Sequence, residues 1–217
     1  MASLAETVTE AQLAALTLIF LLRNTRNHGV VSRQTLGQYI KEYLCPFLEV
    51  AARSNADFLH LVYLGCGTIS IGSMTVQQWI KGNYPWLLYA GFTEEQALGL
   101  LDGAQPAVAL FRKWEDDDSR FVLAAGTREN FVEAAVTKAV ISESLAAKIF
   151  DAQNKKLLPD KEAARIVAES HVDGDGLVQW YEQTPAKSFN ITSVGIALAW
   201  ANIKVKTGVE MDLSIWL

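Results

Sequence analysis

Apolar residues fall at helical spacing early in the chain. Leu13, Leu16, Ile19, Phe20 and Leu22 predict a helix, and Thr9 with Gln12 forms a capping box ahead of it. The run is apolar nearly all round, so this helix is expected at the centre of the fold. Residues 24–29 read as a polar turn. Ser32 caps the next helix, in which Leu36, Ile40, Tyr43, Leu44, Phe47 and Leu48 keep the period. Pro46 interrupts that pattern and predicts an end or a kink.

The pattern then changes. Residues 58–64 read as a strand, Gly65-Cys66-Gly67 as a tight turn, and residues 68–72 as the partner strand of a hairpin. Pro85 and Thr93 each begin a short helix, with a second capping box from Thr93 to Gln96. Pro106 opens another, expected to end at Trp114. The acidic run 115–118 is the best linker, which divides the chain into 1–118 and 119–217. Beyond it, residues 128–140 and 142–153 are amphipathic helices, with Ser142 as N-cap between them. Pro159 suits the first turn of a helix running to Ser170, which Gly174 and Gly176 break. Residues 177–182 and 188–191 read as strands with Pro185 between them, and 194–205 as a closing helix ended by Gly208. Residues 212–217 form a last strand or an extended tail. The expected fold is mainly α with small β elements: a helical N-terminal region carrying a β-hairpin, then a C-terminal module of helix, helix, strand, strand, helix.

That C-terminal order resembles the winged helix-turn-helix family of bacterial regulators. The resemblance rests on residues 173–178 (Asp-Gly-Asp-Gly-Leu-Val) and on 189–199 (Phe-Asn-Ile-Thr-Ser-Val-Gly-Ile-Ala-Leu-Ala), a second wing strand entering a capped helix. It covers about a third of the chain. It implies a recognition helix over 160–170, with Asp160, Lys161, Glu162, Arg165 and Glu169 outward, and a wing tip carrying Lys187. DNA contact would then fall to Lys161, Arg165 and Lys187. Charge opposes this. Residues 155–192 hold five basic side chains (Lys155, Lys156, Lys161, Arg165, Lys187) against six acidic ones (Asp160, Glu162, Glu169, Asp173, Asp175, Glu182). A DNA reader needs a basic face, because phosphate neutralisation supplies most of the affinity. Winged helices without one commonly act as protein-contact modules.

Composition sets the outer limits. The 217 residues are half hydrophobic with six Trp, enough for a sizeable core, and the formal charge of −5 argues against general affinity for nucleic acid or anionic membrane. Two cysteines without a Cys-x-x-Cys spacing make no disulfide scaffold, so a reducing cytoplasm is expected. Glu6 and Glu10 precede the first apolar run, and no basic residue occurs before Arg23, the wrong flank for a signal peptide. The run itself falls short of the ~20 residues that span a bilayer.

No constellation carries clear chemistry. The stretch from His171 to Glu182 imitates a calcium loop, with Asp173 and Asp175 at its third and fifth places, but its first ligand would be His171, a poor partner for a hard cation. A helix-to-strand turn is expected instead. Gly65-Cys66-Gly67 with Gly72 lacks the Lys-Ser/Thr of a phosphate loop. Cys66 near His60 reads as a buried thiol rather than a nucleophile. His28 sits in a turn, and three scattered histidines do not make a metal site. Asp116, Asp117 and Asp118 read as solvated linker. Trp79, Tyr84, Trp86, Tyr89 and Phe92 form the densest aromatic set, as core or as the lining of a pocket or partner groove.

The first functional reading is therefore a non-enzymatic, bacterial-type cytoplasmic interaction or accessory protein. It would use no cofactor or metal and have no membrane association, and it would contact a partner protein or a second copy of itself. The contact residues would be Trp79, Trp86, Tyr89 and Phe92, or the apolar tail Ile215, Trp216 and Leu217. A DNA-binding regulator is the second reading. A small-molecule sensor or enzyme with a pocket near residues 79–92 is the third.

Overall fold

Helix α1 (Glu10–Arg23) opens where the sequence predicts. The Thr9 hydroxyl accepts the Gln12 N–H at 3.2 Å, and the Gln12 side-chain oxygen accepts the Thr9 N–H at the same distance. Two of the donors that a helix start leaves open are thereby satisfied. In this computed structural model, which describes residues 7–101, 110–114, 119–124, 127–138 and 141–209, every residue from 14 to 22 is buried. Helix α1 is the central helix expected of an all-round apolar run. The buried Thr17 hydroxyl donates to the Leu13 carbonyl at 2.8 Å and accepts Nδ2–H of Asn202 at 2.9 Å. The fold is mainly helical with small sheets, as the pattern predicts.

Two compact units make up the chain: residues 1–84 with 160–217, and residues 85–159. The break does not follow the expected division at residue 118. The second unit is an insertion between two parts of the first, and an inserted unit leaves no single composition shift to read. The acidic run 115–118 lies outside the described residues, as does the tail 212–217.

In the first unit, α2 (Arg33–Tyr39) starts on the expected Ser32 cap. A π-helical turn (Ile40–Leu44) follows it, then α3 (Cys45–Leu48). Pro46 accounts for the irregularity. It has no N–H, and its ring strikes the carbonyl four residues back in a regular α-helix. The wider turn, in which the Cys45 N–H reaches the Ile40 carbonyl, accommodates it.

Two strand assignments are corrected. Residues 58–64 are not a strand: α4 (Asn55–Tyr63) occupies them, started by Ser54, whose hydroxyl accepts the Asp57 N–H at 3.1 Å. A short apolar run does not distinguish helix from strand by period, and the local cap decides. The hairpin is therefore absent. Strand β1 (Gly67–Ile69) pairs antiparallel with β5 (Phe189–Ile191), 120 residues or more along the chain. The glycine turn itself is present, with Gly65 at φ 73°.

Residues 177–182 are likewise not a wing strand. They belong to α10 (Gly174–Gln183), and Leu177, Trp180 and Tyr181 are buried at helical spacing. Gly174 begins α10 close against the preceding helix, where a Cβ would stand 2.2 Å from the Val167 carbonyl oxygen. The wing of the winged-helix plan is not formed, and neither is a calcium loop, since residues 174–182 are helical. Before α10 runs α9 (Asp160–Ser170), close to its expected bounds, and after β5 runs α11 (Ser193–Thr207), closed by Gly208 at φ 70°. Helix α11 lies along α1, while α9 packs on α10, on α2 and on α5 (Val76–Asn83).

The second unit opens on a 3-10 turn (Pro85–Leu88) where Pro85 predicts a helix. It continues with β2 (Phe92–Thr93), α6 (Glu94–Leu100), β3 (Phe111–Lys113), β4 (Arg120–Leu123), α7 (Arg128–Lys138) and α8 (Glu143–Asn154). The strands form an antiparallel sheet in the order β2-β4-β3. A helix from Pro106 to Trp114 is not what forms, since residues 111–113 are the edge strand. The caps at Thr93 and Ser142 form as expected. Phe131, Ala135, Ile141, Ala146, Ile149 and Phe150 close the core between α7 and α8.

Candidate functional site

Two features of the first unit have chemistry to offer. One lies where the π-helical turn meets the connection between α9 and α10. Pro46 and the widened turn set Cys45 at the start of α3. The short connection after Ser170 carries His171 and Asp173. Cys45 Sγ stands 3.7 Å from His171 Nδ1 and donates to Asp173 Oδ2 at 3.5 Å, and His171 Nδ1 lies 3.5 Å from the same Asp173 oxygen. The Asp173 backbone N–H donates to His171 Nδ1 at 3.2 Å. That nitrogen is therefore an acceptor, which places the ring proton of the neutral imidazole on Nε2. Burial and the hydrogen bond to the Asp173 carboxylate, with the Asp173 and Glu49 charges behind them, push the Cys45 thiol up to about 12.

The arrangement is not that of a relayed nucleophile. In a Cys–His–Asp relay the thiol and the carboxylate meet different ring nitrogens. Here both face Nδ1, and the thiol is held protonated, which is the reverse of activation. What converges is one sulfur, one imidazole nitrogen and one carboxylate oxygen, the donor types that bind divalent transition ions. Sequence reading missed this site because its third member is 126 positions from His171. The signals present were Pro46 inside a helical pattern beside a cysteine, and a histidine and aspartate two apart at a helix break.

The second feature is an apolar corner. Leu59 and Tyr63, one helical turn apart on α4, are 53% and 86% exposed. On and beyond β1, which packs against α4, Ile69 is 41% exposed and Ile71 fully exposed. Ser70 donates to the Ser188 carbonyl at 2.9 Å, and Thr192 to the Cys66 carbonyl at 3.0 Å. Antiparallel alternation then directs the backbone N–H and C=O of Ile69 away from β5.

The residues singled out from sequence fall elsewhere. Trp79 belongs to the first unit, where it is buried edge-on to Tyr84 at 6.1 Å. Trp86, Tyr89 and Phe92 belong to the second. Tyr89 and Phe92 are buried there and Trp86 is partly so. Trp79, Tyr89 and Phe92 are core residues and present no face to a partner. The intended cations are already engaged. Arg165 donates to Glu162 at 2.6 Å and to Glu169 at 2.7 Å along its own helix, and Lys187 Nζ donates to the Glu182 carbonyl at 2.6 Å. Lys161 is exposed at the start of α9. His60 Nδ1 lies 3.2 Å from the side-chain oxygen of Gln12, and Cys66 is buried beside the Leu64 carbonyl, so the two make no pair. Ile215, Trp216 and Leu217 lie outside the described residues. Among the described residues, no helix is long and apolar enough to cross a membrane.

A protein-family model, whose description reads only as a "-like" family, matches residues 3–217. No curated protein and no solved structure matches the chain.

Proposed function

We propose that this chain, which belongs to that "-like" family from residue 3 to residue 217, is a non-enzymatic interaction or accessory protein. Its partner is an extended segment of another protein, laid along the outward edge of β1. The observation that carries this reading is the apolar corner itself. Four large apolar side chains, Leu59, Tyr63, Ile69 and Ile71, are exposed on two elements that pack together. Beside them a strand edge with no strand partner among the described residues offers backbone donors and acceptors. Exposed sheet edges recruit strands, with main-chain bonds giving affinity and alternate side chains specificity. A reducing, cytoplasm-type compartment fits the two free cysteines. The DNA reading loses support, because Arg165 already neutralises two carboxylates of its own helix.

The test compares the full chain with Tyr63→Glu and Ile71→Glu, whose side chains are exposed, so that the substitutions are expected to leave the fold intact. The native chain is expected to retain a partner protein from its own cells and to gain hydrogen-exchange protection at the Ile69 amide in the purified complex. Both variants are expected to lose it. Undiminished retention by both variants, or protection that bypasses Ile69, sinks the reading.

A further inference from the structure

We infer that Cys45, His171 and Asp173 form a three-ligand site for a divalent transition-metal ion of the zinc class, with a fourth position open to water. The spacing of the three ligand atoms carries the inference. Bonds of about 2.3 Å to sulfur and about 2.0–2.1 Å to nitrogen and oxygen, at tetrahedral angles, hold sulfur about 3.5 Å from either partner and nitrogen about 3.4 Å from oxygen. The corresponding separations here are 3.7 Å, 3.5 Å and 3.5 Å.

The chemistry of the donor set agrees. Thiolate, imidazole and carboxylate together suit zinc and disfavour calcium and magnesium, which take oxygen throughout. The Nδ1 lone pair carries no proton and now accepts the Asp173 N–H, so the ion replaces a weak donor without first removing a ring proton. The sulfur faces a carboxylate and has a second acidic neighbour in Glu49. Asp173 is half-exposed and His171 largely covered, so the triangle has a protein side and a solvent side. Three protein ligands with a fourth position open to water are the pattern of catalytic zinc sites, whereas purely structural sites close all four. The ion would tie the π-helical turn before α3 to the α9–α10 connection. Both segments belong to the first unit, and the site is separate from the apolar corner.

The test is a cobalt titration of the full chain after treatment with chelator and reductant. One equivalent of cobalt(II) is expected to produce a near-ultraviolet thiolate-to-metal charge-transfer band with visible d–d bands, both bleached by one equivalent of zinc. Cys45→Ser is expected to abolish the charge-transfer band. Cys66→Ser, at a buried cysteine outside the triangle, is expected to retain it. Asp173→Asn, at a half-exposed position, is expected to leave the fold intact and to weaken zinc at least about tenfold. If Cys45→Ser fails to fold, Asp173→Asn decides alone. No charge-transfer band in the native chain overturns the inference and leaves the triangle a polar cluster at a helix end. A band that survives Cys45→Ser overturns it too, as does zinc affinity unchanged in Asp173→Asn.

Discussion

The guanidinium of Arg23 donates Nη1–H to the carbonyl oxygen of Phe189 at 2.6 Å, joining the last turn of the central helix to the strand β5. Its other nitrogen donates to Asn190 Oδ1 at 3.0 Å. Strand β5 has β1 on one edge, and Arg23 supplies a partner to its other edge, where no third strand lies among the described residues. Arg23→Met keeps the stem and deletes the donors, leaving a carbonyl in a largely covered position. The expected loss is about 1–3 kcal/mol, a fall in melting temperature of roughly 2–10 °C for a chain of this size. An unchanged melting temperature would show that β5 needs no second edge.

Close backbone approach makes a second prediction. A Cβ at Gly37 would stand 2.1 Å from the Ser170 carbonyl oxygen, so α2 and α9 touch only because that side chain is missing. Backbone cannot swing aside as a side-chain tip can. Gly37→Ala is expected to cost about 1–3 kcal/mol or more, read by denaturant unfolding. Gly72→Ala, where a Cβ meets nothing within 4 Å, is expected to change stability by less than about 0.5 kcal/mol. Equal effects from the two would contradict the packing of α2 on α9.

These two contacts mark the limit of what the chain's pattern discloses. The caps at Thr9, Ser32, Thr93 and Ser142, the central helix and the Gly208 stop are local events, decided within four residues, and sequence predicts each of them. The misreadings at 58–64 and 177–182 share one cause. Both are short apolar runs beside glycines, for which period cannot choose between helix and strand. In the first case the Ser54 cap starts the helix, and in the second the helix begins at Gly174, packed against the Val167 carbonyl. Pairing of β1 with β5, burial of Trp79 and the meeting of Cys45 with His171 all depend on tertiary contacts. A single sequence encodes those without displaying them.

Stability should depend on alkaline pH through Cys45. Its thiol is pushed from an ordinary value of 9.0 up to about 12 in the folded chain. A raised folded value means that the native state holds the proton after the unfolded state has lost it. The contribution is then complete below about pH 9 and is lost as pH rises towards 12. Buried tyrosines act in the same window, Tyr181 among them, also pushed up to about 12 by burial. The difference between native chain and Cys45→Ser isolates the thiol. The native chain is expected to lose stability more steeply than the variant between pH 9 and 11 in urea titrations under chelator. Parallel slopes would place the thiol in a water-like setting.

The carboxylate that holds the Cys45 proton can be removed without disturbing the core, and this separates its effect from burial. Asp173→Asn deletes the negative charge and leaves only a neutral amide oxygen as acceptor, weakening two of the causes that raise the thiol, while burial and Glu49 remain. The thiolate is the reactive form, so its population at a fixed pH sets the alkylation rate. With metal removed, iodoacetamide at pH 8 is expected to modify Cys45 several-fold faster in Asp173→Asn than in the native chain, followed peptide by peptide. Cys66 is the internal clock. It is fully buried, so its modification reports opening of the fold and should proceed at the same rate in both proteins. Acceleration at both cysteines would mean that the substitution loosened the first unit. Acceleration at neither would mean that Asp173 does not hold the thiol. Acceleration at Cys45 alone assigns the suppressed reactivity to the carboxylate. Zinc added to the native chain should then slow the same peptide further, because coordination takes up the sulfur lone pair that alkylation needs.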